Sequence, residues 1–264
     1  MNHLGEFSTH TRDGDHVTKH LNSRHPAGNR FVTAVTRTSE DGMRDYLGAL
    51  RSAEVTLPAE LHIVATDPLT VRHRWVPGTT LLEAAHTDPV TFSAAVAEIG
   101  RWVQALDSAD ARIDTNLANF CLSGDQPVLV DVLPPMIPSL QPQPDTLFGE
   151  LFGALCFDTP IILDALIGYA LRTVLRTADP CAAQGLLPVA YKLTRGTTES
   201  KGFPARWFRA RRRLAVGAVE GDATAEKVQD FFALTSVLGF RQLDERGRRL
   251  RIDHVARRIR ELGV

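Results

Sequence analysis

Residues 112–131 restrict the fold of this chain more than any other stretch. They read Arg-Ile-Asp-Thr-Asn-Leu-Ala-Asn-Phe-Cys-Leu-Ser-Gly-Asp-Gln-Pro-Val-Leu-Val-Asp. A short apolar run leads into a Gly124-Asp125 turn, and the β-branched run Val128-Leu129-Val130 returns from it, a pattern that predicts a β-hairpin. Asp114 and Asn119 precede the hairpin and Asp131 ends it. Two carboxylates and one amide gathered by such a turn suit Mg²⁺ and a phosphoryl group. Mg²⁺ is a hard cation held by one or two carboxylates together with phosphate oxygens.

Composition narrows the setting. The chain has 264 residues, enough for one large domain or two lobes with separate cores. Apolar content of 44%, charged content of 23% and a formal net charge of −1 describe an ordinary globular protein and favour neither a nucleic acid nor an acidic membrane as partner. Basic residues are mostly arginine; the lysines are Lys19, Lys192, Lys201 and Lys227. Cys121, Cys156 and Cys181 are too widely spaced for a metal knuckle, so buried thiols are expected. The first residues carry no basic-then-apolar signal pattern, and a cytoplasmic protein is expected. The apolar stretch 151–175 is broken by Asp158, Pro160, Asp164 and Arg172, which marks a core helix region and not a membrane span.

In chain order, residues 6–21 predict a hairpin, with Phe7, Thr9 and Thr11 alternating and Asp13-Gly14-Asp15 as the turn. Lys19 lies in its second strand, either as a solvated lysine or as a phosphate contact. After a loop at 23–30, residues 31–50 predict helix in two pieces, the second N-capped by Ser39 with Met43, Tyr46, Leu47 and Leu50 on one face. Its acids Glu40, Asp41 and Asp45 either favour the helix N-terminus or hold Lys19. Strands follow at 60–65 and 69–76, and Trp75-Val76-Pro77-Gly78-Thr79-Thr80-Leu81 reads as a hinge into a helix. Residues 91–106 form an amphipathic helix through Phe92, Val96, Ile99, Val103 and Leu106. Beyond a proline-rich loop to Pro144, residues 147–175 are helical with a break near Pro160, and 185–204 is a polar connector. Helices at 207–219, 225–239 and 253–262 complete the chain. The fold class is α+β: a small strand-rich unit at 1–77, then a helix-rich unit at 78–264.

The order of these features over roughly residues 5–135 resembles the aminoglycoside/choline-type phosphotransferases of the protein-kinase-like fold. The resemblance rests on Lys19 in a hairpin, an acid-bearing helix, the hinge at 75–81, the helix Ile99-Gly100-Arg101-Trp102-Val103-Gln104-Ala105-Leu106, and then Asp114, Asn119 and Asp131. It implies a two-lobed fold with an antiparallel-sheet N-lobe at 1–77 and a helical C-lobe at 78–264. It also implies transfer of the γ-phosphoryl group of ATP or GTP, with Mg²⁺, to a hydroxyl of a small molecule or of a peptide Ser or Thr. By position, Lys19 would contact the α/β-phosphates, oriented by Glu40 or secondly Asp45. The backbone at Trp75 and Val76 would receive the purine edge. Asp114 would accept the hydroxyl proton, and Asn119 and Asp131 would ligate Mg²⁺.

The chain departs from that pattern in three places. Arg112-Ile113-Asp114 stands where the family has His-Gly-Asp or His-Arg-Asp, Leu133 stands where a second metal acid is often found, and only Gly5 is available for a phosphate-covering glycine loop. Two other readings therefore accompany the enzyme: a pseudokinase or binding module without turnover, and an unrelated α+β domain whose acids cap turns. For the acceptor, Asp145, Glu150, Asp158 and Asp164 are acids for a cationic substrate, with Asp158 and Asp164 equally readable as helix caps or solvated positions. The arginines of 206–213 are either a solvated face over Trp207 and Phe208 or a contact for an anionic partner.

Overall fold

A computed structural model describes residues 7–22, 39–144, 146–177, 180–195, 200–237, 239 and 243–263. The expectations for Gly5, for the loop at 23–30, for the first helical piece at 31–38 and for Asp145 lie outside these residues. The architecture is α+β, with a four-stranded antiparallel sheet, a separate β-hairpin and, among the described residues, nine helices. Two compact units divide the chain: residues 1–81 with 101–143, and residues 82–100 with 144–264. That division differs from 1–77 and 78–264, because the stretch carrying Asp114, Asn119 and Asp131 belongs with the sheet.

In the first unit, β1 (Ser8–Asp13), β2 (His16–Leu21), β3 (His62–Thr66) and β4 (Leu69–Arg74) form a sheet in the order β1-β2-β4-β3. Register sets what each face carries. Lys19 pairs with Val71, and Val17 with His73, so these four share one face with Leu21. Val17, Lys19, Leu21, Val71 and His73 are all buried, as period-two alternation requires. On β1 that face carries Ser8, opposite Leu21, and not the Phe7-Thr9-Thr11 set whose alternation the sequence displays. The helix α1 (Glu40–Ser52) starts at Ser39, whose hydroxyl accepts from the Gly42 amide at 3.1 Å. It buries Met43, Tyr46, Leu47 and Leu50, each contributing about 1.5–3 kcal/mol as an upper bound.

Beyond β4 the chain turns through the predicted hinge. Gly78 sits at φ +146°, and a Cβ there would lie 2.0 Å from the Leu122 carbonyl oxygen. Only glycine allows this approach. It lets Leu122 donate its N–H to Thr79 at 2.9 Å and bridges Thr80 to Cys121. Leu122 belongs to β5 (Phe120–Ser123), which pairs with β6 (Gln126–Leu129) as the predicted hairpin.

The second unit is helical: α2 (Leu81–Thr87) beyond Leu81, α3 (Pro89–Ala105) up to Gly100, α4 (Leu147–Phe157), α5 (Thr159–Val174), α6 (Pro180–Thr194), α7 (Phe203–Glu220), α8 (Ala225–Leu234) and α9 (Glu245–Glu261). Its core gathers Leu151, Ile161, Trp207, Phe208, Phe231 and Val255. The break expected near Pro160 is a bend of 87° between α4 and α5. Asp158 makes that bend by capping α5, accepting from the Ile161 amide at 3.2 Å. Among the described residues, no single helix is long and apolar enough to cross a membrane.

Two local expectations are corrected. The first half of the supposed connector at 185–204 is α6, which contains Pro188; Ala182, Ala183, Leu186, Ala190 and Leu193 are buried at helical spacing, and that packing outweighs the proline penalty. Helix α9 starts at Glu245 with Asp244 as N-cap, eight residues earlier than the apolar period alone marks, because its first turns are arginine-rich and exposed. The thiols also differ from expectation: Cys156 is buried, Cys121 is half-buried and Cys181 is exposed.

Candidate active site

The site is assembled by the end of the hairpin and the inner face of the sheet. Because Phe120 pairs with Leu129, the residues just outside that pair, Asn119 and Val130, also face each other, and the Val130 N–H donates to the Asn119 carbonyl at 2.9 Å. Asp131 then leaves the hairpin toward β2. Lys19 Nζ donates to the Val130 carbonyl at 2.6 Å and lies 3.3 Å from Asp131 Oδ1. Ser8 Oγ donates to Asp131 Oδ2 at 3.3 Å, and the Leu133 amide donates to Oδ1 at 3.3 Å. Both side chains of the ion pair are mostly enclosed, at 11% exposure for Lys19 and 16% for Asp131. Enclosure removes much of the solvent screening that makes surface pairs weak.

On the other side of the hairpin, Asp114 is exposed and Asn119 half-buried. Asp114 Oδ1 accepts from the Asn116 amide at 2.9 Å, and Asn116 Oδ1 in turn caps the 3₁₀ turn Leu117–Asn119 through the Ala118 amide at 3.2 Å. Asn119 Nδ2 reaches the Asp114 carbonyl at 3.5 Å, a long contact that orients its amide nitrogen toward the loop. These local bonds are the Asx-type turns that Asp and Asn favour. They fix where the carboxylate of Asp114 stands.

Arg112, which stands where the resemblance puts a histidine, is buried. Its guanidinium donates to the carbonyls of Leu106 at 2.6 Å, Ala109 and Ala111 at 2.8 Å, and Asp107 at 2.9 Å. Its amide donates to Met136 at 2.7 Å, and its carbonyl accepts from the Tyr46 hydroxyl at 3.0 Å. A fork of donors thus closes the turn that leads into Asp114. Burial, and then the charges of Asp114 and Asp131, raise the Tyr46 phenol well above its ordinary value, so it remains a donor. Burial holds the His73 imidazole below its ordinary 6.5, with the Lys19 charge acting in the same direction.

Of the residues expected to act together, Lys19 and Asp131 meet directly, and Asp114 and Asn119 share one loop beside them. Glu40 does not join. It pairs with Arg44 one turn along its own helix, at an exposed position, so the carboxylate that orients Lys19 is Asp131. An i,i+4 partner on the same helix is nearer than a strand across the sheet. Asp45 is exposed as well. At the hinge, Trp75 donates its amide to the Asp15 carbonyl at 2.6 Å and its ring lies 4.1 Å beneath Arg12 Cζ, so that N–H is committed within the sheet. Val76 is half-buried beside it.

Ser8, Tyr46 and the role of Arg112 escaped the sequence reading. Ser8 becomes visible once the strand register is known, whereas Tyr46 looks like one more apolar-face residue. In the second unit, Asp158 is a cap, as one of its two readings held, and also accepts from Ser200 Oγ at 2.6 Å. Asp164 is neither cap nor solvated; it is buried against Arg212 Nε at 2.5 Å, beside a cavity of about 40 Å³ lined also by Thr194, Ser200 and Arg209. Glu150 is exposed. Trp207 and Phe208 are fully buried beneath their helix, but Arg211 and Arg212 are not on a solvated face.

The donor set can be weighed against Mg²⁺. Among the described residues there is no group of three or more His, Cys, Asp or Glu side chains arranged for a metal. One carboxylate, Asp131, and one amide oxygen, from Asn119 turned by its Nδ2 contact, are a sparse set that leaves most of a coordination shell to phosphate and water. That is how Mg²⁺ is commonly held. No protein-family model matches the chain, and no curated protein matches it in sequence.

Proposed function

We propose that the first unit is a nucleotide-phosphate site of protein-kinase-like type and that the protein is a Mg²⁺-dependent phosphotransferase. The acceptor in this reading is a hydroxyl of a small molecule or of a peptide. The observation that carries the reading is the enclosed Lys19–Asp131 pair, drawn from a strand and a hairpin end that are remote in sequence, with Asp114 and Asn119 on the adjoining loop. Acids that only cap turns need no lysine brought to them from another sheet.

In this reading Lys19 meets the α/β-phosphates of ATP or GTP, and Asp131 sets the lysine's position. Asn119 and Asp131 would hold Mg²⁺, which would supply charge neutralisation on the phosphate oxygens. Asp114, its Oδ1 fixed by Asn116, orients the acceptor hydroxyl and takes its proton. The remaining demand is positioning, because the transferred group needs little covalent help. The base edge meets the backbone of Val76 and the carbonyl side of Trp75, since the Trp75 N–H is already engaged.

Calorimetric titration of the chain with ATP or GTP and Mg²⁺ tests the reading. Binding is expected in the wild type and lost in Asp131→Ala; no heat at millimolar nucleotide would exclude it. One observation favours a binding module without turnover: Arg112 occupies the place of the family histidine, and its guanidinium donates to loop carbonyls. Asp114→Ala decides between the two. An enzyme loses phosphoryl transfer while keeping nucleotide affinity, whereas a binding module shows no transfer in either form.

A further inference from the structure

Two arginines of the second unit lie together with, among the described residues, no carboxylate paired to either. Arg172 on α5 and Arg211 on α7 both approach the ring of Phe232 on α8, with Cζ 5.5 Å and 4.2 Å from its centroid. Tyr169 and Phe208 flank them at 6.0 Å and 5.6 Å. Close packing of α5 on α7 holds the group in place: a Cβ on Gly168 would lie 3.3 Å from both the Arg212 amide nitrogen and Phe232 Cζ. Arg172 Nε donates to Gln229 Oε1 at 2.9 Å, and Gln229 Nε2 returns a bond to the Arg172 carbonyl at 3.2 Å. Arg211 Nε is buried with no hydrogen-bond partner among the described residues. Its neighbour Arg212, by contrast, is satisfied by Asp164 at 2.5 Å.

Ring faces account for part of this arrangement. A guanidinium over an aromatic ring gains a modest attraction. Rings do not accept an enclosed N–H in its own plane, and they do not offset two positive charges placed side by side. Burial, and next the charge of Arg172, lower Arg211 to about 9; burial and then Arg176 lower Arg172. Both residues nevertheless keep some accessible surface and are not sealed in the core.

We propose that Arg172 and Arg211, with Gln229 beside them, form a binding site for a phosphate group, either free or carried on a small molecule. Planar guanidinium forks match phosphate oxygens in pairs. A phosphate monoester brings a charge of about −1.5 to −2 and three acceptor oxygens, which balances two guanidiniums where a carboxylate balances one. The site shares no residue with the Lys19–Asp131 arrangement and stands independently of the function proposed for it.

The test is calorimetric titration of the full chain with inorganic phosphate at constant ionic strength, with acetate as control, alongside NMR of the arginine ¹⁵Nε signals. Saturable phosphate binding, little acetate binding and a shift of the Arg211 Nε resonance are expected. Arg172→Gln and Arg211→Lys are each expected to weaken binding by about tenfold or more, the loss of a charge-assisted contact. Arg213→Gln, which removes only a surface bond to Gly263, is expected to leave it unchanged. Asp131→Ala is expected to leave it unchanged too, which separates this site from the nucleotide reading. Glycerol phosphate run in parallel shows whether an esterified or a free phosphate fits better. Unsaturable heats, or binding kept in both arginine variants, would overturn the proposal. If Arg211→Lys does not fold, the wild-type Nε shift and Arg172→Gln decide.

Discussion

Lys19–Asp131 in the first unit and Arg212–Asp164 in the second are ion pairs of similar enclosure with opposite surroundings. Lys19 and Asp131 are 11% and 16% exposed, Arg212 and Asp164 18% and 12%. Asp131 also has a hydroxyl and an amide on its oxygens, and an exposed carboxylate and an amide side chain stand on the adjoining loop. Asp164 meets its arginine in the middle of a helix pair, beside a cavity of about 40 Å³. Burial of an ion pair therefore does not mark a site. What distinguishes the first pair is the company of a further carboxylate, Asp114, and an amide, Asn119, on the adjoining loop.

That distinction can be broken by substitution. The largest effect is expected at Asp114: Asp114→Asn should lower phosphoryl transfer by about 10²–10⁴-fold, the usual share of a general base, with nucleotide affinity and stability unchanged. A comparable loss of affinity instead would place Asp114 among the binding groups. Asp164→Ala should destabilise the chain by about 3 kcal/mol in urea unfolding, since it strands Arg212 in a largely enclosed position. Replacing both partners, as in Asp164→Leu with Arg212→Met, should restore most of that stability; failure to recover would mean the pair does more than satisfy itself.

Smaller effects test the scaffold around Asp131. Tyr46→Phe removes the donor to the Arg112 carbonyl and should lower stability by about 1 kcal/mol, read as a fall in thermal midpoint, while leaving Lys19 and Asp131 in place. The smallest effect is a pH dependence. The His73 pKa lies below 6.5 in the folded chain, so folding favours its neutral form, and that contribution is present above pH 6.5 and is lost as pH falls through the folded value. The difference in stability between wild type and His73→Gln should therefore shrink on acidification below pH 6.5; a constant difference would show that His73 does not titrate there.

The hairpin at 120–129 was legible because turn residues and β-branched runs encode it locally, and with it came the placement of Asn119 and Asp131 at one end. The turn between β4 and α2 was legible through Pro77-Gly78, and the helix faces through their period. The partner of Lys19 was not. Glu40 and Asp131 are both carboxylates with the right chemistry, and choosing between them depends on which strands pair and in what register, a choice that period-two alternation leaves open by one residue. Ser8 was hidden by the same one-residue ambiguity on β1.

By itself, then, the sequence determined the local elements, the apolar faces and the order in which acids and amides reach the hairpin, because these follow from spacing of a few residues. Tertiary structure alone decided that Lys19 meets Asp131, that Arg112 closes the loop before Asp114, and that Arg211 stands beside Arg172 with its Nε unpartnered among the described residues. Each of these joins residues from different elements, and their contact depends on packing geometry that no short stretch of chain encodes.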